Sequence, residues 1–190
     1  MGGVMSSITI NGDTSGSVIL QAPAVAGSTT LTLPTTTGTL VTSNAMPTGS
    51  VLQVVQGTYT TPVTTTGTTY IDTGLTATIT PSSSSNKILV LVNQTDCSRG
   101  NSGWSNNTSI GLKLVKNGSD LVIINPNAMY LGVNTVGGNI NINASYLDSP
   151  SSTSALTYKT QFKLAGSSGT VGVQWNGEAT STIILMEIKG

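Results

Sequence analysis

Histidine is absent from this 190-residue chain, and there is a single cysteine, Cys97. Without histidine, both the commonest general base and the commonest metal ligand are missing. One thiol allows neither an intrachain disulfide nor a cysteine-based zinc site. Charge is also scarce: seven Lys+Arg balance seven Asp+Glu, together 7% of residues. With no cationic excess, the chain has little to release counterions from a nucleic acid backbone or to hold an anionic membrane surface. No apolar run approaches the ~18 residues of a spanning helix, and Met1-Gly-Gly-Val-Met-Ser-Ser7 lacks the basic and apolar regions of a secretory signal. Neither nucleic acid nor membrane insertion is expected, and no signal peptide.

Hydroxyls fill the space. Serine and threonine make up roughly 30% of the chain, where charged residues usually supply about a quarter. At 37% hydrophobic residues, the chain is too apolar to stay unfolded. Threonine and the branched aliphatics favour the pleated sheet and lose rotamer freedom in helices. The composition predicts an all-β protein.

The sequence divides near Met46-Pro47. Before that point, short extended pieces alternate apolar and hydroxyl residues: Ser7–Ile10, Ser17–Gln21, Thr29–Leu33 and Thr39–Thr42, separated by Asn11-Gly-Asp13, 22–27 and 34–38. Each has one narrow apolar face. So few aliphatic side chains cannot form a monomeric core, whereas a solvated linker has no reason to repeat Ile-x-Ile and Leu-x-Leu. Residues 1–46 therefore read as a β-rich arm or stalk that pairs with other copies of itself, with Ile8, Ile10, Val18, Leu20, Leu31 and Leu33 as the candidate oligomerisation residues.

Residues 47–190 read as a sheet domain. Val51–Val55 and Tyr70–Thr80 open it, and Pro81 with four serines makes a loop. Lys87–Val92 is apolar at every position after the lysine, which predicts a central strand covered on both faces. Leu112–Val115 and Leu121–Ile124 flank Asn117-Gly118, a type I′ hairpin signal. Ile140, Ile142, Ala144 and Tyr146 alternate with Asn139, Asn141, Asn143 and Ser145, while Leu156, Tyr158, Phe162 and Leu164 oppose Lys159, Gln161 and Lys163. Asn176-Gly177 is expected to turn Val171–Trp175 toward the last strand, Thr182–Ile188. Nine or ten strands at this spacing predict a jelly-roll-like β-sandwich.

Nucleophilic catalysis needs a base beside the nucleophile, and none is evident. The acids Asp13, Asp72, Asp96, Asp120, Asp148, Glu178 and Glu187 form no close pair in sequence, and each is expected at a turn or solvated edge. Gly166-Ser-Ser-Gly-Thr-Val-Gly172 lacks the Gly-Lys-Ser/Thr of a phosphate loop. No enzyme activity, metal or cofactor is expected. The segment Asp96–Thr108 reads as a long polar loop carrying an aromatic. Asp96, Arg99, Trp104, Asn106 and Asn107 are its candidate contacts, because an aromatic face with amides and carboxylates suits a neutral sugar surface. Packing of Trp104 against the sandwich or a subunit interface is the alternative.

The stretch Gly16-Ser-Val-Ile-Leu-Gln-Ala-Pro-Ala-Val-Ala-Gly-Ser-Thr-Thr-Leu-Thr-Leu-Pro-Thr-Thr-Thr-Gly-Thr-Leu-Val41 resembles a segment of tailed-phage structural proteins. Gly49–Val55, Tyr70–Pro81, Asn86–Val90, Tyr146–Pro150 and Ile183–Ile188 resemble C-terminal domains of phage tail-fibre-like and virion structural proteins. The resemblance implies a homotrimeric surface protein with an intertwined β stalk and a sandwich knob, made in the host cytoplasm and placed on the virion surface. It supplies no functional residues. Two roles compete. One is a tail fibre or fibre tip that contacts a host-surface polysaccharide and joins baseplate or tail proteins. The other is a capsid decoration (cement or head-fibre) protein on the major capsid shell, favoured by the short arm.

Overall fold

The computed structural model describes residues 7–21, 30, 35, 37, 41, 46–99, 108–129 and 138–190. Contacts within the chain divide it into two compact units, Met1–Val41 and Thr42–Gly190.

In the first unit, β1 (Ser7–Asn11) and β2 (Ser17–Gln21) form an antiparallel ribbon. The turn closes where Gly12 N donates to Gly16 O at 2.9 Å. Ile8 pairs with Leu20 and Ile10 with Val18, while Thr9 pairs with Ile19. Ile19 thus places an apolar side chain on the face opposite Ile8, Ile10 and Leu20, so neither face of the ribbon is purely polar. The sequence pattern missed this second face.

Among its described residues the second unit holds ten strands: β3 (Val51–Tyr59), β4 (Val63–Thr65), β5 (Ile71–Ile79), β6 (Lys87–Arg99), β7 (Ile110–Lys116), β8 (Ser119–Ala128), β9 (Asn139–Asp148), β10 (Leu156–Leu164), β11 (Val171–Val173) and β12 (Ser181–Ile188). No helix occurs among the described residues. One sheet runs β5-β10-β7-β8; the other runs β3-β12-β6-β11-β4, with β9 also on β6. β12 pairs with Lys87–Asn93 and β11 with Ser98 and Arg99, both antiparallel to β6. These two strands therefore form one interrupted line, as do their neighbours β3 and β4.

Alternation fixes what each strand buries. On β10, Leu156, Tyr158, Phe162 and Leu164 point inward between Lys159, Gln161 and Lys163, as the pattern predicts. Asn117 (φ 48°) and Gly118 (φ 83°) both take left-handed conformations in the β7–β8 turn, the geometry that a two-residue hairpin demands. The core has two apolar clusters. One centres on Leu75, Ile88, Val90, Tyr158, Ile183 and Leu185; the other centres on Ile110, Leu112, Phe162, Val171 and Val173. Between them lies a buried polar belt. Thr160 Oγ1 donates to Gln94 Oε1 at 2.8 Å, Gln94 Nε2 donates to Ser181 Oγ at 3.0 Å, and Gln174 Nε2 donates to the same hydroxyl at 2.6 Å.

Three expectations are corrected. β6 is central, but Leu89 and Leu91 on its outer side are only half-buried, so one face of the strand is covered and the other is not. The Asn176-Gly177 pair does not make a hairpin; it lies in an excursion between two collinear strands. Not all acids are solvated: Glu187, Asp148 and Asp96 are buried. Each has found partners that replace water. Asp148 accepts from Tyr158 Oη and Lys116 Nζ, both at 2.7 Å. Glu187 accepts from Gln53, Asn86 and Ser82.

Candidate functional site

Asp96 belongs to β6, not to a loop, and so do Cys97, Ser98 and Arg99. The strand continues this far because long-range groups satisfy its backbone. Thr95 N donates to Ser181 Oγ at 2.9 Å, and Asp96 N donates to Asn141 Oδ1 at 3.1 Å. The β6–β9 register shifts between Gln94 and Cys97, a bulge in which Thr95 and Asp96 face Asn141. Asp96 adopts φ 47° there, and Gln174 adopts φ 49° opposite.

The bulge is matched by the excursion on the other side of β6. Gln174 N donates to Thr95 O and Trp175 N to Asp96 O, and then the chain leaves the sheet. Asp96 Oδ2 accepts from Asn176 N at 2.7 Å, pinning the turn that Gly177 N closes onto Gln174 O. The Trp175 ring lies against the backbone of Gly172, where a Cβ would run into the ring, so a larger residue there would have to displace it. Trp175 is thereby a packing residue.

The two irregularities frame an open cavity of about 350 Å³, lined by Thr95, Asp96, Asn139, Asn141, Asn176, Glu178 and Ala179. It presents amides, a hydroxyl and two carboxylates, with no cation among its lining groups. Such a surface accepts and donates hydrogen bonds to an uncharged polyhydroxyl ligand and repels an anion. The fold brings Asp96 and Glu178 to one cavity although they are distant in sequence, but Asp96 already serves the backbone of the turn. Among the described residues, no three His, Cys, Asp or Glu side chains gather as a metal site requires.

Of the sequence-predicted contacts, Asp96 lines this cavity, and Arg99 is buried at the end of β6 beside Val171. Trp104, Asn106 and Asn107 lie outside the described residues. Asn139, Asn141, Asn176 and Glu178 were missed as a group. The Asn-x-Asn alternation of β9 and the second Asn-Gly were the signals that could have found them. Cys97 is fully buried beneath the bulge, and burial pushes its thiol up to about 12, so it stays protonated and inert.

Of the candidate oligomerisation residues, Ile8, Ile10 and Leu20 are 64%, 56% and 44% exposed, as is Ile19 at 57%. Position 18 pairs with Ile10 in the ribbon. Leu31 and Leu33 lie outside the described residues. No protein-family model matches the chain, and no curated protein matches it.

Proposed function

We propose that this chain is a non-enzymatic structural protein of a tailed-phage virion, a homotrimeric surface fibre or fibre tip that contacts a host-surface glycan. The observation that carries the reading is the β1–β2 ribbon, in which Ile8, Ile10, Ile19 and Leu20 stand largely in solvent. Apolar residues arranged in register yet unburied are a surface awaiting further strands, and identical chains supply them most simply. The resemblance of residues 16–41 and of the second half to virion proteins names the setting.

The second unit is the knob, and a jelly-roll reading fits its strand pairing. With β3/β4 and β11/β12 each taken as one strand, the first pairs with the last, β5 with β10, β6 with β9 and β7 with β8. That nesting arises when one long antiparallel hairpin rolls into two layers. The cavity beside Asp96 is the glycan contact, an uncharged sugar suiting its lining. Three such contacts on one trimer raise effective concentration without a strong individual site.

Sedimentation of the full chain tests the oligomer: three copies are expected, at low and at high salt alike, and a single compact chain would reject the reading. Labelling of a tagged copy on whole particles tests the location. Density at tail tips supports the fibre, and density on heads only would make the protein a capsid decoration instead.

A further inference from the structure

The sandwich has two outer faces of opposite character. On the β5-β10-β7-β8 sheet, the outward residues include Lys159 paired with Asp72, and Lys113 paired with Asp120. Lys113 and Lys163 also stand over the Tyr70 ring at 4.4 and 4.9 Å. This face carries paired charges that suit it to water, with Ile123 as its one exposed large aliphatic among the described residues.

The other outer face follows from the register of four strands. Val54 pairs with Met186, Met186 with Leu89, and Leu89 with Leu147, which makes an unbroken apolar row across the sheet. In the next row Ile184 and Leu91 stand between Gln56 and Ser145. Val51 and Ile188 extend the patch toward Lys87, the one charge in these rows. Thr58, Thr182, Asn93 and Asn143 close it with a polar row.

We propose that this face of the sandwich is covered by a second copy of the chain, as a contact separate from the β1–β2 ribbon; it rests on the reading that the chain self-associates. Area supports it. Val51, Val54 and Leu147 are 48%, 56% and 52% exposed, and Leu89, Leu91, Ile184, Met186 and Ile188 are half-buried. The eight together offer on the order of several hundred Å² of largely apolar surface per copy. A standard interface of ~800 Å² per partner, a little over half of it apolar, needs about that much. Charge supports it as well. A face with one peripheral lysine offers a charged partner nothing to pair with, whereas another copy of the same uncharged face buries without stranding an ion.

The test uses full-length chains in sedimentation over a concentration series. Ile8→Lys with Ile19→Lys disables the ribbon; this variant should still associate, through the sandwich. Adding Val54→Lys and Leu147→Lys should then raise the concentration for half-association at least a hundredfold. Thr76→Lys with Thr78→Lys, on the polar outer face, is the control and should change nothing. If the ribbon variant is a single chain at every concentration, or if the added lysines leave its association intact, the proposal is overturned while the ribbon reading stands. A wild-type chain that never associates overturns both. One measurement needs no substitution: oxidation of Met186 by peroxide should slow severalfold on going from dilute to concentrated protein. An unchanged rate would also overturn the proposal.

Discussion

The β1–β2 ribbon and the sandwich are written in the same alternating code, yet they end in opposite states. Ile8 and Ile10 stand mostly in solvent, whereas Ile183 and Leu185 are fully buried. Alternation produces an apolar face, but a second layer is needed to produce a core, and a two-stranded ribbon has none of its own. Truncating one residue in each region therefore separates the two. Phe162→Ala should cost about 3–5 kcal/mol of unfolding free energy, read from denaturant midpoints, because it empties the centre of the second apolar cluster. Ile8→Ala should leave that midpoint in place and weaken self-association instead. If both substitutions move the same transition equally, the two regions are one folding unit and the comparison fails.

A smaller effect is expected at the buried carboxylate below the first cluster. Glu187 accepts from Gln53 Nε2 at 2.6 Å, from Ser82 N at 2.6 Å and from Ser82 Oγ at 2.8 Å, with Asn86 Nδ2 as a further donor. Burial pushes its carboxyl up, but the hydrogen bonds from Asn86, Gln53 and Ser82 outweigh that and hold it below the ordinary value of 4.5. A depressed folded value means that the ionised form stabilises the fold. That contribution is complete above about pH 4.5 and is lost as pH falls through the folded value. Glu187→Ala should cost about 2–3 kcal/mol at neutral pH by stranding buried donors. Glu187→Gln should flatten the acid limb of the melting profile, and an unchanged limb would show that other carboxyls set it.

Next in size is the polar belt between the two clusters. Thr160→Val keeps the shape but removes the donor to Gln94 Oε1 and the partner of Thr73 Oγ1. A buried acceptor left without a donor should cost about 1–3 kcal/mol in chemical denaturation. A loss under about 0.5 kcal/mol would mean that water reaches the belt and that the two clusters are not sealed from each other.

These magnitudes follow the line between what local sequence encodes and what it does not. The β7–β8 hairpin was legible because Asn117 and Gly118 set its turn without help from elsewhere. The alternation of β10 was legible for the same reason. β4 was not: Val63–Thr65 is too short to carry a period, and it becomes a strand only by pairing with β11. Asp96–Arg99, the end of β6, reads as the start of a polar loop in Asp96–Thr108, and Thr95 before it is polar as well. What holds Thr95 and Asp96 in strand form is Ser181 and Asn141, distant in sequence. The same distance hid the cavity. Asp96 was named for its chemistry, but Asn139, Asn141, Asn176 and Glu178 join it only after the bulge and the excursion have formed. Leu89 and Leu91 show the converse error, since a continuous apolar run says that both faces want cover without saying that the same chain provides it.

The least costly substitution should be on the polar outer face. Lys159 Nζ donates to Asp72 Oδ2 at 2.7 Å, and Gln161 Nε2 donates to Asp72 Oδ1 at 2.6 Å. Burial pushes the Asp72 carboxyl up, and its hydrogen bonds and charge contact with Lys159 and Gln161 together more than offset that, leaving it below its ordinary range. Both members of the pair are substantially solvated, so Asp72→Asn should cost less than about 1 kcal/mol in thermal unfolding, and still less at 1 M salt, where screening shortens to about 3 Å. The same salt should leave the proposed self-association intact, because the faces proposed to meet other copies are aliphatic and gain from burial at about 25 cal/mol per Å² whatever the ionic strength. Dissociation in high salt would move the adhesive surface from the apolar face to the charged one, reversing the roles assigned to the two sides of the sandwich.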